Sequence, residues 1–128
     1  MARSQPQPSR GSHPRVVIVD DHPGFRYAAR TLLAARGYDV VAEASCAANA
    51  LHAVERHAPD AVLLDVGLGD DDGFEVCDLL SRSHPELAIL LASAEDPESE
   101  LLTRSRARGF VLKQRLLQTD FAQFWPTA

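Results

Sequence analysis

The sequence predicts an α/β fold, a doubly wound (βα)5 arrangement in which one parallel sheet is covered by helices on both faces. Three observations predict it. Short, wholly apolar runs recur along the chain, at residues 16–19 (VVIV), 61–64 (AVLL) and 87–92 (LAILLA), each the length of a strand buried on both faces. Segments with apolar residues at helical spacing lie between them. Finally, the runs stop at polar residues, Asp20 and Asp21, Asp65, Ser93 and Lys113, where open α/β sheets carry their chemistry.

Residues 1–14 (MARSQPQPSRGSHP) are polar, rich in Pro and Ser and without periodicity, and are expected to form a disordered tail ahead of one domain spanning 15–125. The first strand follows from Arg15. Pro23 suits the first turn of a helix with Phe25, Ala28, Ala29, Leu32 and Leu33 on its apolar face, ended by Gly37. Residues 39–44 (DVVAEA) read as a less apolar strand near an edge. Ser45 is the expected N-cap of a helix facing inward through Ala47, Ala50, Leu51 and Val54. Pro59 and Asp60 break the chain before the central strand. The loop with Gly67, Gly69 and Gly73 leads, through the helix-starting run Asp70 to Asp72, into a helix that buries Phe74, Cys77 and Leu80 and is closed by Pro85. Asp96 and Pro97 are expected to open a fourth helix, with Leu101, Leu102 and Ser105 toward the sheet and Arg104 and Arg108 toward water. Residues 109–112 (GFVL) form the fifth strand, and Leu117, Phe121, Phe124 and Trp125 a short final helix.

A chain of 128 residues with 45% hydrophobic and 24% charged residues is sized for one soluble globular domain with a core of its own. No run is long enough to span a membrane, and a net charge of −5 does not favour nucleic acid. Cys46 and Cys77 have no metal-ligand spacing and read as buried free thiols of a reducing compartment, so a cytoplasmic location is expected. Of the 13 basic residues, 12 are arginine and only Lys113 is lysine. Against that bias toward arginine a single lysine at a strand end marks a position that needs an ammonium.

With strand order 2-1-3-4-5, the order of flavodoxin-like sheets, strands one, three, four and five are neighbours, and their ends meet at the switch point. Three carboxylates, a hydroxyl and an ammonium then share one crevice. Carboxylates so close need a cation, and a hard, oxygen-seeking divalent ion such as Mg²⁺ suits them. The set fits phosphoryl transfer, where positioning and charge neutralisation dominate, with the central Asp65 as the nucleophile. His22 reads as a loop residue near the site and not a ligand. His52, His57 and His84 are expected on exposed polar faces, and Arg104, Arg106 and Arg108 on a solvated or partner-binding face.

These motifs, VDDHP, VLLDVGLGDDDG, LLASAED and GFVLK, together resemble a response-regulator receiver domain, most closely the receivers of NarL/LuxR-type regulators. The resemblance implies that Asp20, Asp21, Asp65 and the backbone carbonyl of Gly67 hold Mg²⁺. It implies that Asp65 accepts a phosphoryl group from a histidine kinase or phosphotransfer protein. Ser93 and Lys113 would bind that group, and Phe110 would be the aromatic switch residue. A downstream protein or a second copy would then be engaged through the face made by the fourth helix, fifth strand and fifth helix. The chain departs from the family at Gly69 and Gln114, where proline is common, and at Arg106, where glycine is common.

The expectation is a stand-alone receiver that is not an enzyme in the turnover sense and that binds neither DNA nor membrane by itself. The alternatives are a receiver belonging to a NarL-type DNA-binding regulator and a phosphorylation-independent interaction module. A haloacid-dehalogenase-type phosphatase needs a second acid two residues after the nucleophile, and Gly67 stands there.

Overall fold

A computed structural model describes residues 13–127. The expected tail lies outside the described residues except for His13 and Pro14. Pro14 is buried, and its carbonyl accepts a hydrogen bond from the Asp39 N–H at 2.9 Å. The elements are β1 (Arg15–Val19), α1 (Pro23–Ala35), β2 (Asp39–Ala44), α2 (Ala47–His57), β3 (Ala61–Asp65), β4 (Gly67–Leu68), β5 (Asp71–Asp72), α3 (Gly73–Ser83), β6 (Ala88–Ser93), α4 (Ser99–Arg104) and β7 (Gly109–Leu112). Two 3₁₀ segments, Lys113–Gln118 and Phe121–Gln123, follow.

The sheet is parallel with order β2-β1-β3-β6-β7, while β4 and β5 pair only with each other. Numbered among themselves, the five sheet strands give 2-1-3-4-5, as expected. Right-handed crossovers explain the layering. The sheet grows one way through α1 and the other way through α2, α3 and α4, so α1 lies on one face and the other helices on the opposite face. Strand residues alternate accordingly. Val16, Ile18, Leu63 and Leu90 pack with Ala29 and Leu33 of α1, whereas Val17, Val62, Leu64 and Leu91 pack with Ala50 and Val54 of α2 and with Val76 and Leu80 of α3.

Three local expectations need correction. The fifth α-helix does not form, so the fold has four α-helices among the described residues, and the last layer is built by the 3₁₀ segments. The spacing of Leu117, Phe121 and Phe124 looks helical, but Arg36 reaches across from the end of α1 and donates to the carbonyls of Leu117 and Thr119. Asp120 then starts a new turn by accepting from the Ala122 N–H at 3.2 Å. Phe121 and Trp125 stack with centroids 5.0 Å apart, and Tyr38 meets both edge-on, so an aromatic cluster does the covering that a longer helix would do. Second, α4 is six residues long with no buried residue; Leu101 is exposed, and Ser105 lies just past its end. Third, α2 begins after Cys46, and Ser45 does not cap it; the Ala47 N–H donates instead to Asp71 Oδ2 at 2.9 Å.

Candidate functional site

Register brings the site residues together. Val19 pairs with Leu64, so Asp20 and Asp65 stand side by side at the next position. Asp65 pairs with Ala92, and Ser93 with Leu112, which sets Lys113 one step beyond the edge of β7. Asp20 is 1% and Asp65 4% exposed, while the Asp21 side chain is 32% exposed. The chain after Asp65 is bent back tightly. The Gly67 N–H donates to Asp65 Oδ1 at 3.2 Å and Gly73 donates to the Val66 carbonyl at 2.8 Å. A side chain at Gly73 would collide with the Asp65 carbonyl and with Val66, so glycine there lets α3 start directly against the site. Gly69, at the tip of the small β4–β5 hairpin, has φ +66, a left-handed conformation that a proline there could not adopt.

The ammonium of Lys113 lies 2.6 Å from Asp20 Oδ2 and 3.2 Å from Asp65 Oδ2. With Asp21 added, three carboxylates face one ammonium, and two negative charges stay uncompensated. Burial pushes the Asp65 carboxyl above its ordinary pKa, and the charge of Asp20 adds to this; Lys113 and the Gly67 N–H pull the other way without cancelling it. Asp20 is fixed from outside the cluster by the His22 N–H on its Oδ1 at 2.9 Å and by Arg26, which donates to its carbonyl at 2.7 Å.

Asp20, Asp21, His22 and Asp65 each offer a donor atom, and these atoms lie within 4.8 Å of one another. Asp21 Oδ1 is buried with no hydrogen-bond partner. A cluster of oxygen donors with excess negative charge and an orphaned carboxylate oxygen fits a hard divalent ion such as Mg²⁺. His22, read from sequence as a bystander, hydrogen-bonds Asp20 Oδ1 through Nδ1 at 3.2 Å; the same nitrogen lies 3.1 Å from Asp21 Oδ1 without making a hydrogen bond to it, and the ring is mostly exposed. The sequence signal for that approach is the Asp20-Asp21-His22 run itself: Asp20 Oδ1 accepts from the N–H two residues on, a turn that aspartate favours, and so brings His22 beside the acids.

Ser93 ends β6 as expected, but its hydroxyl accepts from the Glu95 N–H at 3.2 Å and makes no hydrogen bond to Asp65 among the described residues. Phe110 is half-buried on the edge strand β7 and packs against the cluster that contains Leu91. Asp70 is exposed, Asp72 caps α3 by accepting from the Phe74 N–H at 2.9 Å, and Asp71 reaches α2. His52 is exposed, whereas His57 and His84 are half-buried, against expectation. Cys77 is buried and Cys46 half-buried, both as free thiols. Sequence reading also missed Phe25, whose ring centroid lies 4.5 Å from Lys113 Nζ.

Comparison with known proteins shows the family and the fold. The family model of the response regulator receiver domain matches residues 16–119. The "Probable transcriptional regulatory protein NarL" of Mycobacterium tuberculosis is 36% identical over 113 residues, covering 86% of this chain and 51% of that protein. The transcriptional regulatory protein DegU of Brevibacillus brevis is 32% identical over 103 residues, covering 78% of this chain and 44% of that protein. The chain thus spans about half the length of the curated relatives it matches. A two-component response regulator of the LuxR family from Aurantimonas sp. superposes with a TM-score of 0.75 at 31% identity, covering 84% of this chain and 81% of that one.

Proposed function

We propose, since the chain belongs to the family of response-regulator receiver domains, that it is a phosphorylation-controlled switch in which Asp65 is the phosphoacceptor. The observation that carries this reading is the placement of one ammonium between two buried strand-end carboxylates, with a third carboxylate beside them. An Asp65 oxygen attacks the phosphorus of a phosphohistidine on a histidine kinase or phosphotransfer protein. The P–N bond breaks, an acyl-phosphate P–O bond forms, and the imidazole leaves with the bonding pair.

Asp20, Asp21, Asp65 and the Gly67 carbonyl are the groups that would hold Mg²⁺, which when bound neutralises charge on the phosphoryl oxygens. Lys113 pairs with a phosphoryl oxygen once Asp65 carries the acyl phosphate, and the Ser93 hydroxyl, whose oxygen accepts from the Glu95 N–H, donates its own proton to another. Phe110 then turns inward and changes the exposed surface beside it. The protein is a one-turnover phosphoacceptor and not an enzyme. It acts in the cytoplasm through protein contacts with a downstream target or a second copy, with neither DNA nor membrane as a partner of this chain by itself. No helix among the described residues is long and apolar enough to cross a membrane. The surface offered is that of α4, β7 and the 3₁₀ segments.

Incubation with a small acyl-phosphate donor and Mg²⁺ tests the reading. One base-labile phosphoryl group should appear by mass spectrometry. Asp65→Asn should abolish it and Asp70→Asn should not; equal labelling of Asp65→Asn overturns the assignment. A second reading, a receiver serving a DNA-binding regulator, is favoured by the half-length match to transcriptional regulators. The length of the native open reading frame separates it from a stand-alone receiver.

A further inference from the structure

We propose that Phe25 is a positioning residue for Lys113, holding the ammonium in place through its ring face. This rests on the reading of Lys113 as the group that meets the phosphoryl oxygen. The ammonium has three neighbours, Asp20 Oδ2 at 2.6 Å, Asp65 Oδ2 at 3.2 Å and the Phe25 ring at 4.5 Å from its centroid. Two of the three are the carboxylates that a divalent ion and a phosphoryl group engage. The ring is the neighbour that neither takes away.

A cation held over an aromatic face within about 6 Å is attracted by the ring quadrupole, and more strongly where water is excluded. The Lys113 side chain is 15% exposed, so the contact lies in the sheltered range. The local structure explains how the ring comes there. Pro23 opens α1, Phe25 falls in its first turn, and the half-buried ring packs on the core beside α1 while leaving one face to the site. An aliphatic residue would fill the same space without attracting the charge.

A single lysine makes the contact directly observable. In a ¹⁵N-labelled protein the only side-chain ammonium signal is that of Lys113, and a ring face above it displaces the signal upfield. Phe25→Leu should remove that displacement, and Phe25→Tyr should keep it. Site-specific 3,5-difluorophenylalanine at position 25 keeps the shape but weakens the quadrupole. With the small acyl-phosphate donor, it should slow labelling of Asp65 roughly two- to fivefold, as expected for losing a contact of this type. Labelling at the wild-type rate with the difluoro ring, or an ammonium signal unmoved in Phe25→Leu, overturns the proposal. If the wild-type protein takes up no phosphoryl group while the ammonium signal responds to Phe25 as stated, the phosphoacceptor reading fails and the ring contact stands.

Discussion

The two flanks of the sheet are built differently. On the β2 flank, α1 and α2 run for 13 and 11 residues, and Glu43 is gripped by Arg26 and Arg30 at 3.0 and 2.5 Å. On the β7 flank, α4 has six residues and none of them is buried, the edge strand β7 has four residues against six in the opposite edge strand β2, and the chain continues in 3₁₀ turns. Asp20 and Asp65 sit between the two, and Lys113 is the first residue beyond β7. The two buried carboxylates are therefore held at the centre of the sheet and their ammonium partner at its loose flank. Elements that rearrange are drawn from the low-stability part of a structure, so under the proposed function the β7 flank is the part expected to move.

The largest effect that would sharpen the contrast comes from two glycines. An added methyl at Gly73 meets the backbone of Asp65 and Val66, which cannot move without moving the site, whereas at Gly109 it meets only the ring of Phe124, a half-buried side chain. Gly73→Ala should cost about 3 kcal/mol and Gly109→Ala about 1 kcal/mol by urea unfolding. Equal losses would mean that the centre of the sheet beside Asp65 is no more rigid than the β7 flank.

A smaller effect lies between the flanks. Because burial and Asp20 raise the Asp65 carboxyl, its ionised form destabilises the fold. The penalty is fully present above the folded-state pKa and is relieved as pH falls toward the unfolded value. Asp65→Asn should therefore raise the melting midpoint at neutral pH without metal and flatten that pH dependence. It should also lose most of the stabilisation that millimolar Mg²⁺ confers on the wild type by mass action. A lower midpoint for Asp65→Asn without metal would contradict the electrostatic account.

The smallest effect is at Glu43. Burial alone would raise its carboxyl, but hydrogen bonds from Arg30 and Arg26 outweigh that and hold it below the ordinary range. Its contribution is present above the unfolded-state pKa and lost as pH falls through the folded one. At a partly exposed site, Glu43→Gln should cost no more than about 1 kcal/mol, and the cost should shrink in high salt. A larger, salt-insensitive loss would place more of the firm flank's stability in this cluster than surface ion pairs ordinarily supply.

What could be read in the sequence was set by short-range rules. VVIV, AVLLD and LAILLA announce buried parallel strands because both faces of each must be apolar, and Asp20, Asp65 and Lys113 announce a site because each ends such a run. What could not be read depends on residues remote in sequence. Arg36 interrupts a helix 81 to 83 residues later by taking the carbonyls of Leu117 and Thr119, and no local pattern in residues 113–125 reveals that. The approach of Phe25 to Lys113 depends on how α1 lies against the end of β7. Ser93 was legible as a strand-end hydroxyl, but its bond to the Glu95 N–H follows the ordinary preference of serine for a following turn.

The hydrogen bond from the Ala47 N–H to Asp71 gives α2 a borrowed cap. Most helices carry the group that satisfies their first turn just ahead of it in the chain; α2 takes it from the hairpin that follows Asp65 at the end of β3. A helix capped from elsewhere inherits the motion of its donor. If modification of Asp65 shifts the hairpin by even an ångström, the first turn of α2 frays, on the far side of the sheet from the edge where such domains are expected to signal.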